Sequence, residues 1–189
     1  IMNLPLVDVS GEEYVRLLNN AKYIMQIAHT GQKYGNLDYD YHIYNVVAEV
    51  TELVQNLSPN WNKDNKYWTN DVFTLIILAM IHDSVEDDKS WIVNLDYVKS
   101  LGFSDDLVFA LDCITKKENE TYEKYMNRVK LSKYSHFVKL ADSKSNLKES
   151  EGLGETNSTY NKGRVKKYSR NVNELSETLP LDFDFITKG

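Results

Sequence analysis

Punctuation is scarce in this chain. Three prolines and eight glycines across 189 residues leave few places for the tight turns that many short strands need, so the sequence predicts long helices joined by polar connections. The apolar spacing agrees. Ser10 followed by Glu13 makes a capping box that opens a helix over about 10–29, in which Tyr14, Leu17, Leu18, Ala21, Ile24, Met25 and Ala28 recur at steps of three and four. A polar loop over 30–40 leads to a second helix over about 41–57, with Val46, Val47, Val50, Leu53 and Val54 as its buried stripe and Ser58 and Pro59 as its stop. Asp71 then caps the most apolar helix, over about 72–83. Shorter helices are expected over 95–101, 105–114 and 122–131, the last opened by Thr121. Two longer ones follow, over about 136–147 and 160–179, and the segment 149–158, holding Gly152 and Gly154, reads as a mobile loop.

With 42% hydrophobic residues, 189 residues are enough for one substantial core. The expectation is a single all-α domain over 1–189, with its core over about 11–179. The formal net charge is -6, without a basic arm, so a nucleic acid polymer is not the expected partner. The longest apolar stretch, 72–81, is about half the length that spans a bilayer, which speaks against a membrane role. Cys113 is the single cysteine, so neither an internal disulfide nor a sulfur-ligated metal site can form. That fits a reducing setting, and a cytoplasmic location is expected.

The chemistry is concentrated where the apolar helix ends, in Ile81-His82-Asp83-Ser84-Val85-Glu86-Asp87. Adjacent His and Asp side chains leave a helix axis about 100° apart and can splay around one ion. Imidazole with carboxylate suits manganese, iron or zinc better than calcium. Glu86 and Asp87 stand four residues after His82 and Asp83, one turn further on. A metal ion lowers the pKa of its water towards neutrality, and a carboxylate in that place can take the proton. Further along, Asp142 lies in the apolar tract Val138-Lys139-Leu140-Ala141-Asp142, and Asn146 follows one turn later on the same face.

Taken together these pieces resemble the HD-domain hydrolases of the RelA/SpoT type and their free-standing small alarmone hydrolase relatives. The matching tracts are Ala28-His29-Thr30-Gly31-Gln32-Lys33-Tyr34-Gly35, Tyr39-Asp40-Tyr41-His42, the HDSVED tract, Ile114-Thr115 with Thr121-Tyr122, and KLADSKSNL. The resemblance runs from about residue 21 to 146 and more faintly through the last helix. It implies an HD-type helical bundle with a buried manganese ion held by His42, His82, Asp83 and Asp142. Glu86 and Asp87 would then activate water and protonate the leaving group, in removal of pyrophosphate from the 3' position of guanosine tetra- or pentaphosphate. Lys33 and Asn146 match positions that help hold the substrate, and Gln32 and Tyr34, which flank Lys33 in the same tract, are expected to join them in binding it.

Departures from the pattern bear on substrate. Gln32 stands where the family has an arginine that stacks on the purine, and glutamine offers neither the cation nor the plane. Ile43 replaces a proline, one extra residue separates Gly35 from His42, Asp88 replaces a threonine, and Ser143, Lys144 and Ser145 fill a stretch where an arginine is expected. Two alternatives therefore stand beside the alarmone hydrolase. One is an HD phosphohydrolase for another nucleotide: a nucleoside monophosphate, an adenine alarmone or the 2'-phosphate of NADPH. The other is a non-catalytic nucleotide-binding module. His29 is expected to be structural and His136 to have no role. The tyrosines Tyr34, Tyr39, Tyr41 and Tyr44 read as packing around a loop, with a base-stacking platform as the sharper option. Arg164 or Lys167, on the basic last helix, is placed to reach a polyphosphate across the mouth of the site.

Overall fold

The apolar periodicity becomes a bundle of helices around one unusually hydrophobic member. The structure is a computed structural model that describes residues 11–58, 69–87, 92–152 and 159–187. In chain order the elements are α1 (Gly11–Ala28), a hairpin of β1 (Lys33–Tyr34) and β2 (Leu37–Asp38), α2 (Asp40–Leu57), α3 (Asn70–Ile81), α4 (Ser84–Asp87), α5 (Leu95–Ser100), α6 (Asp105–Ile114), α7 (Tyr122–Val129), α8 (Lys133–Gly152), α9 (Thr159–Glu177) and α10 (Asp184–Thr187). None of the described helices is long and apolar enough to cross a membrane.

Helix α3 buries Val72, Phe73, Leu75, Ile76, Ile77, Leu78, Ala79 and Ile81, more than one face can hold, and α1, α2, α6 and α8 surround it. Helix α2 sets Val46, Val50 and Val54 against it at four-residue steps, and α1 adds Leu17, Ala21, Ile24 and Ala28. Helix α8 lies between α2 and α9. A smaller apolar cluster of Tyr125, Met126, Val129, Leu140 and Leu175 ties α7, α8 and α9 together.

Several details differ from the sequence reading. The N-cap of α3 is Thr69, whose hydroxyl accepts from the Val72 N–H at 3.3 Å, not Asp71. Thr69 has the extended backbone a cap needs, and Asp71 turns inward to other partners. The loop over 30–40 carries a two-residue antiparallel ladder, turned by Gly35 at φ 61°. Helix α8 starts three residues early and runs through Gly152, so the first part of the expected loop is helical; 153–158 lie outside the described residues, as do Ser10 of the capping box and Asp88. The C-terminal α10 adds an element the apolar spacing does not predict: Phe183 and Phe185 stack at 5.1 Å and meet Phe137 edge-on in the core.

Candidate metal centre

Three separate stretches of chain deliver the site. His42 is buried in the first turn of α2, His82 and Asp83 form the turn after α3, and Asp142 sits mid-way along α8. Helix α3 stops because His82 caps it: the imidazole Nδ1–H donates to the Ala79 carbonyl at 2.8 Å, answering one of the orphan acceptors of the last turn. That bond engages Nδ1 and leaves Nε2 as the nitrogen that faces the site. His82 is 1% exposed, and its Nε2 makes no hydrogen bond.

The ligand atoms converge. His82 Nε2 lies 3.1 Å from Asp83 Oδ2 and 3.9 Å from Asp142 Oδ1, and His42 Nε2 lies 3.3 Å from Asp142 Oδ1 and 3.7 Å from Asp83 Oδ2. The donor atoms of His42, His82 and Asp142 all fall within 4.8 Å of one another, a spacing that one divalent ion could bridge. Asp83 Oδ2 shares the same space while accepting from the Tyr39 hydroxyl at 2.6 Å.

The surroundings hold each ligand in place. Asp142 accepts from Asn146 Nδ2 at 2.6 Å on Oδ1 and from Lys139 Nζ at 2.8 Å on Oδ2, so its second oxygen is turned away from the histidines. Tyr34 stacks on the His42 ring at 4.7 Å, and Tyr39 stacks on His29 at 4.3 Å. His29 Nδ1 meets Gln32 Oε1 at 2.8 Å and stands outside the ligand cluster, and His136 Nε2 contacts the Leu175 carbonyl in the core.

Electrostatics explain why this centre suits a cation. Burial alone would lower the His82 pKa, but Asp83, and then Asp142, outweigh it and raise the imidazole to about 9. Burial would raise Asp83, yet His82 and His42 hold it well below the usual carboxylate range. Asp142 is likewise pulled down against burial, chiefly by Lys139. The buried Asp142 and the half-buried Asp83 beside two imidazoles attract positive charge, and the residues present could hold a metal ion.

The centre lies in a cleft of about 880 Å³. Its described lining includes five cations, Lys33, Lys116, Lys139, Arg164 and Lys167, against four carboxylates, Asp83, Glu86, Asp142 and Glu149. A divalent ion would therefore make the cleft distinctly positive within a chain of net charge -6. Glu86 accepts from the Lys116 backbone N–H at 3.0 Å and lines the cleft; the side chain of Asp87 lies outside the described residues. Lys33 reaches the lining from the hairpin, paired with Asp38.

Beside the ligand cluster, Tyr34, Asn146, Glu149 and Arg164 meet. Tyr34 OH donates to Asn146 Oδ1 at 2.8 Å and also contacts the Glu149 carboxylate, and Arg164 Nη2 donates to Glu149 at 2.8 Å and Asn146 Oδ1 at 3.4 Å. Gln32, in contrast, is turned back on His29 and is not among the lining residues. Lys139, Lys116 and Glu149 join the site without having stood out in the sequence, and Tyr39, read there as loop packing or a stacking platform, lines it beside Asp83. Lys139 and Glu149 had a usable signal, because they stand three residues before and seven after Asp142 on one helix face. Compared with known proteins, the chain matches no family model and no curated sequence.

Proposed function

We propose that this chain is a metal-dependent phosphohydrolase of the HD type, acting on a phosphorylated nucleotide and removing the 3'-pyrophosphate of guanosine tetra- or pentaphosphate. The observation that carries the reading is the convergence of His42, His82, Asp83 and Asp142 at the base of a cation-lined cleft that also presents Glu86. His42, His82, Asp83 and Asp142 would hold the ion, with manganese as the ion of choice. When bound, such an ion supplies Lewis acidity to a phosphoryl oxygen and makes water a better nucleophile near neutral pH.

The chain's own residues do the rest. Glu86 accepts the proton of the attacking water, and Asp87 returns one to the leaving oxygen. Lys116, Lys167 and Arg164, which line the cleft, hold phosphate oxygens, and Tyr34 and Tyr39 keep water from the hairpin side of His42 and Asp83. Lys139 keeps Asp142 presenting a single oxygen to the ion.

A second reading has its own support. Gln32 is engaged with His29 and offers no stacking plane to a purine, which favours a substrate held by its phosphates more than by its base. Both readings answer to one assay: a panel of nucleotides incubated with protein and manganese, with phosphate and pyrophosphate release measured. Pyrophosphate from guanosine tetraphosphate supports the first reading, and phosphate or pyrophosphate from another nucleotide supports the second. No release from any nucleotide, with metal bound, contradicts both.

A further inference from the structure

The corner formed by Tyr34, Asn146, Glu149 and Arg164 is already filled by a negative charge of the protein's own. Glu149 and Arg164 are 24% and 20% exposed and open to the cleft, so a bound anion can reach either. The single proton of the Tyr34 hydroxyl faces two acceptors, Asn146 Oδ1 and the Glu149 carboxylate, so loss of the carboxylate leaves Tyr34 with a partner still in place. Arg164 donates to Glu149 through Nη2 at 2.8 Å, a single bond rather than a bidentate one, and the same nitrogen lies 3.4 Å from Asn146 Oδ1.

We propose, building on the phosphohydrolase reading, that Glu149 is a specificity-determining residue: its carboxylate occupies the anion-binding corner around Arg164 and yields it only to a dianionic phosphate group. A carboxylate bears one charge and two oxygens. A terminal phosphate bears nearly two charges and three oxygens, which match a guanidinium fork better and repay the exchange. Ligands with one charge or none at that position offer Arg164 no more than the carboxylate already does, so they do not displace Glu149 from it. The corner thereby selects polyphosphorylated substrates over nucleosides and cyclic or singly charged esters.

The test uses the full chain and inorganic pyrophosphate, titrated calorimetrically in metal-free buffer. Wild type, Glu149→Gln, Glu149→Ala and Arg164→Gln are compared, with thermal melts to verify folding. Removing the resident charge should tighten pyrophosphate binding about tenfold in both Glu149 variants, whereas Arg164→Gln should weaken it by a similar factor. The proposal is overturned if the Glu149 variants bind pyrophosphate no better than wild type, or if Arg164→Gln leaves binding unchanged. Because the readout needs neither metal nor turnover, an enzyme that cleaves no nucleotide would sink the phosphohydrolase reading, while these affinities decide the role of the corner by themselves.

Discussion

Helix α3 has a carboxylate at each end, the buried Asp71 and the half-buried Asp83, and the two ends are finished differently. At the N-terminal end Asp71 is engaged on both oxygens. Tyr134 OH donates to one, while Lys133 Nζ at 3.1 Å and the Asp184 backbone N–H at 2.7 Å donate to the other. At the C-terminal end, two histidines and two carboxylates approach within 3.1 to 3.9 Å, yet His82 Nε2 makes no hydrogen bond. Burying a polar atom without a partner costs free energy, and here the cost falls on an imidazole nitrogen 3.1 and 3.9 Å from two carboxylate oxygens. The N-terminal end holds α3 to α8 and to the C-terminal segment; the C-terminal end brings together donors that could hold a metal ion.

Substitutions at the two ends should therefore separate metal binding from stability. The largest effect is expected for His82→Ala, which should weaken manganese binding by more than about 100-fold and abolish the rise in melting temperature that manganese gives wild type. Retention of that rise would contradict the assignment of His82 as a ligand. Asp71→Ala should do the reverse. Loss of a buried, multiply bonded carboxylate that leaves Lys133 and Tyr134 without it should cost about 3 kcal/mol, roughly 6–12 °C in melting temperature, while manganese still stabilises the variant. Equal loss of metal binding in both variants would erase the contrast between the ends.

The pH dependence sharpens the same comparison with a smaller effect. A protonated imidazole cannot ligate, and the carboxylates raise the His82 pKa to about 9 against the opposing effect of burial. Manganese must then displace a proton below that value, so apparent affinity should fall as pH drops beneath about 9, approaching tenfold per unit, and level off above it. Titrations at several pH values check this; an affinity flat from pH 6 to 9 would show that His82 is not in competition for the ion.

How much of the molecule is legible in its sequence depends on whether a feature is local. The His82-Asp83 pair follows directly from the end of an apolar run, and Asp142 with Asn146 from a four-residue step on one helix, so both can be named from the sequence. Their meeting with His42 is tertiary: it depends on α2, α3 and α8 packing side by side, and only the family resemblance hints at it. Asp71 reads as a cap because aspartate favours caps, but Thr69 two residues earlier takes the capping geometry and releases Asp71 into the interior. Two-residue strands are too short to carry a period, so the hairpin that lays Tyr34 on His42 leaves no mark. The glycines after Glu149 make its surroundings read as a loop, although α8 continues to Gly152 and carries the carboxylate to the wall of the cleft.

Whether His42, His82, Asp83 and Asp142 bind a metal is decided by calorimetric titration of manganese into chelator-stripped wild-type protein. About one ion per chain, bound saturably and lost in His82→Ala, is the predicted result; no saturable binding, or binding unaltered by that substitution, would contradict it.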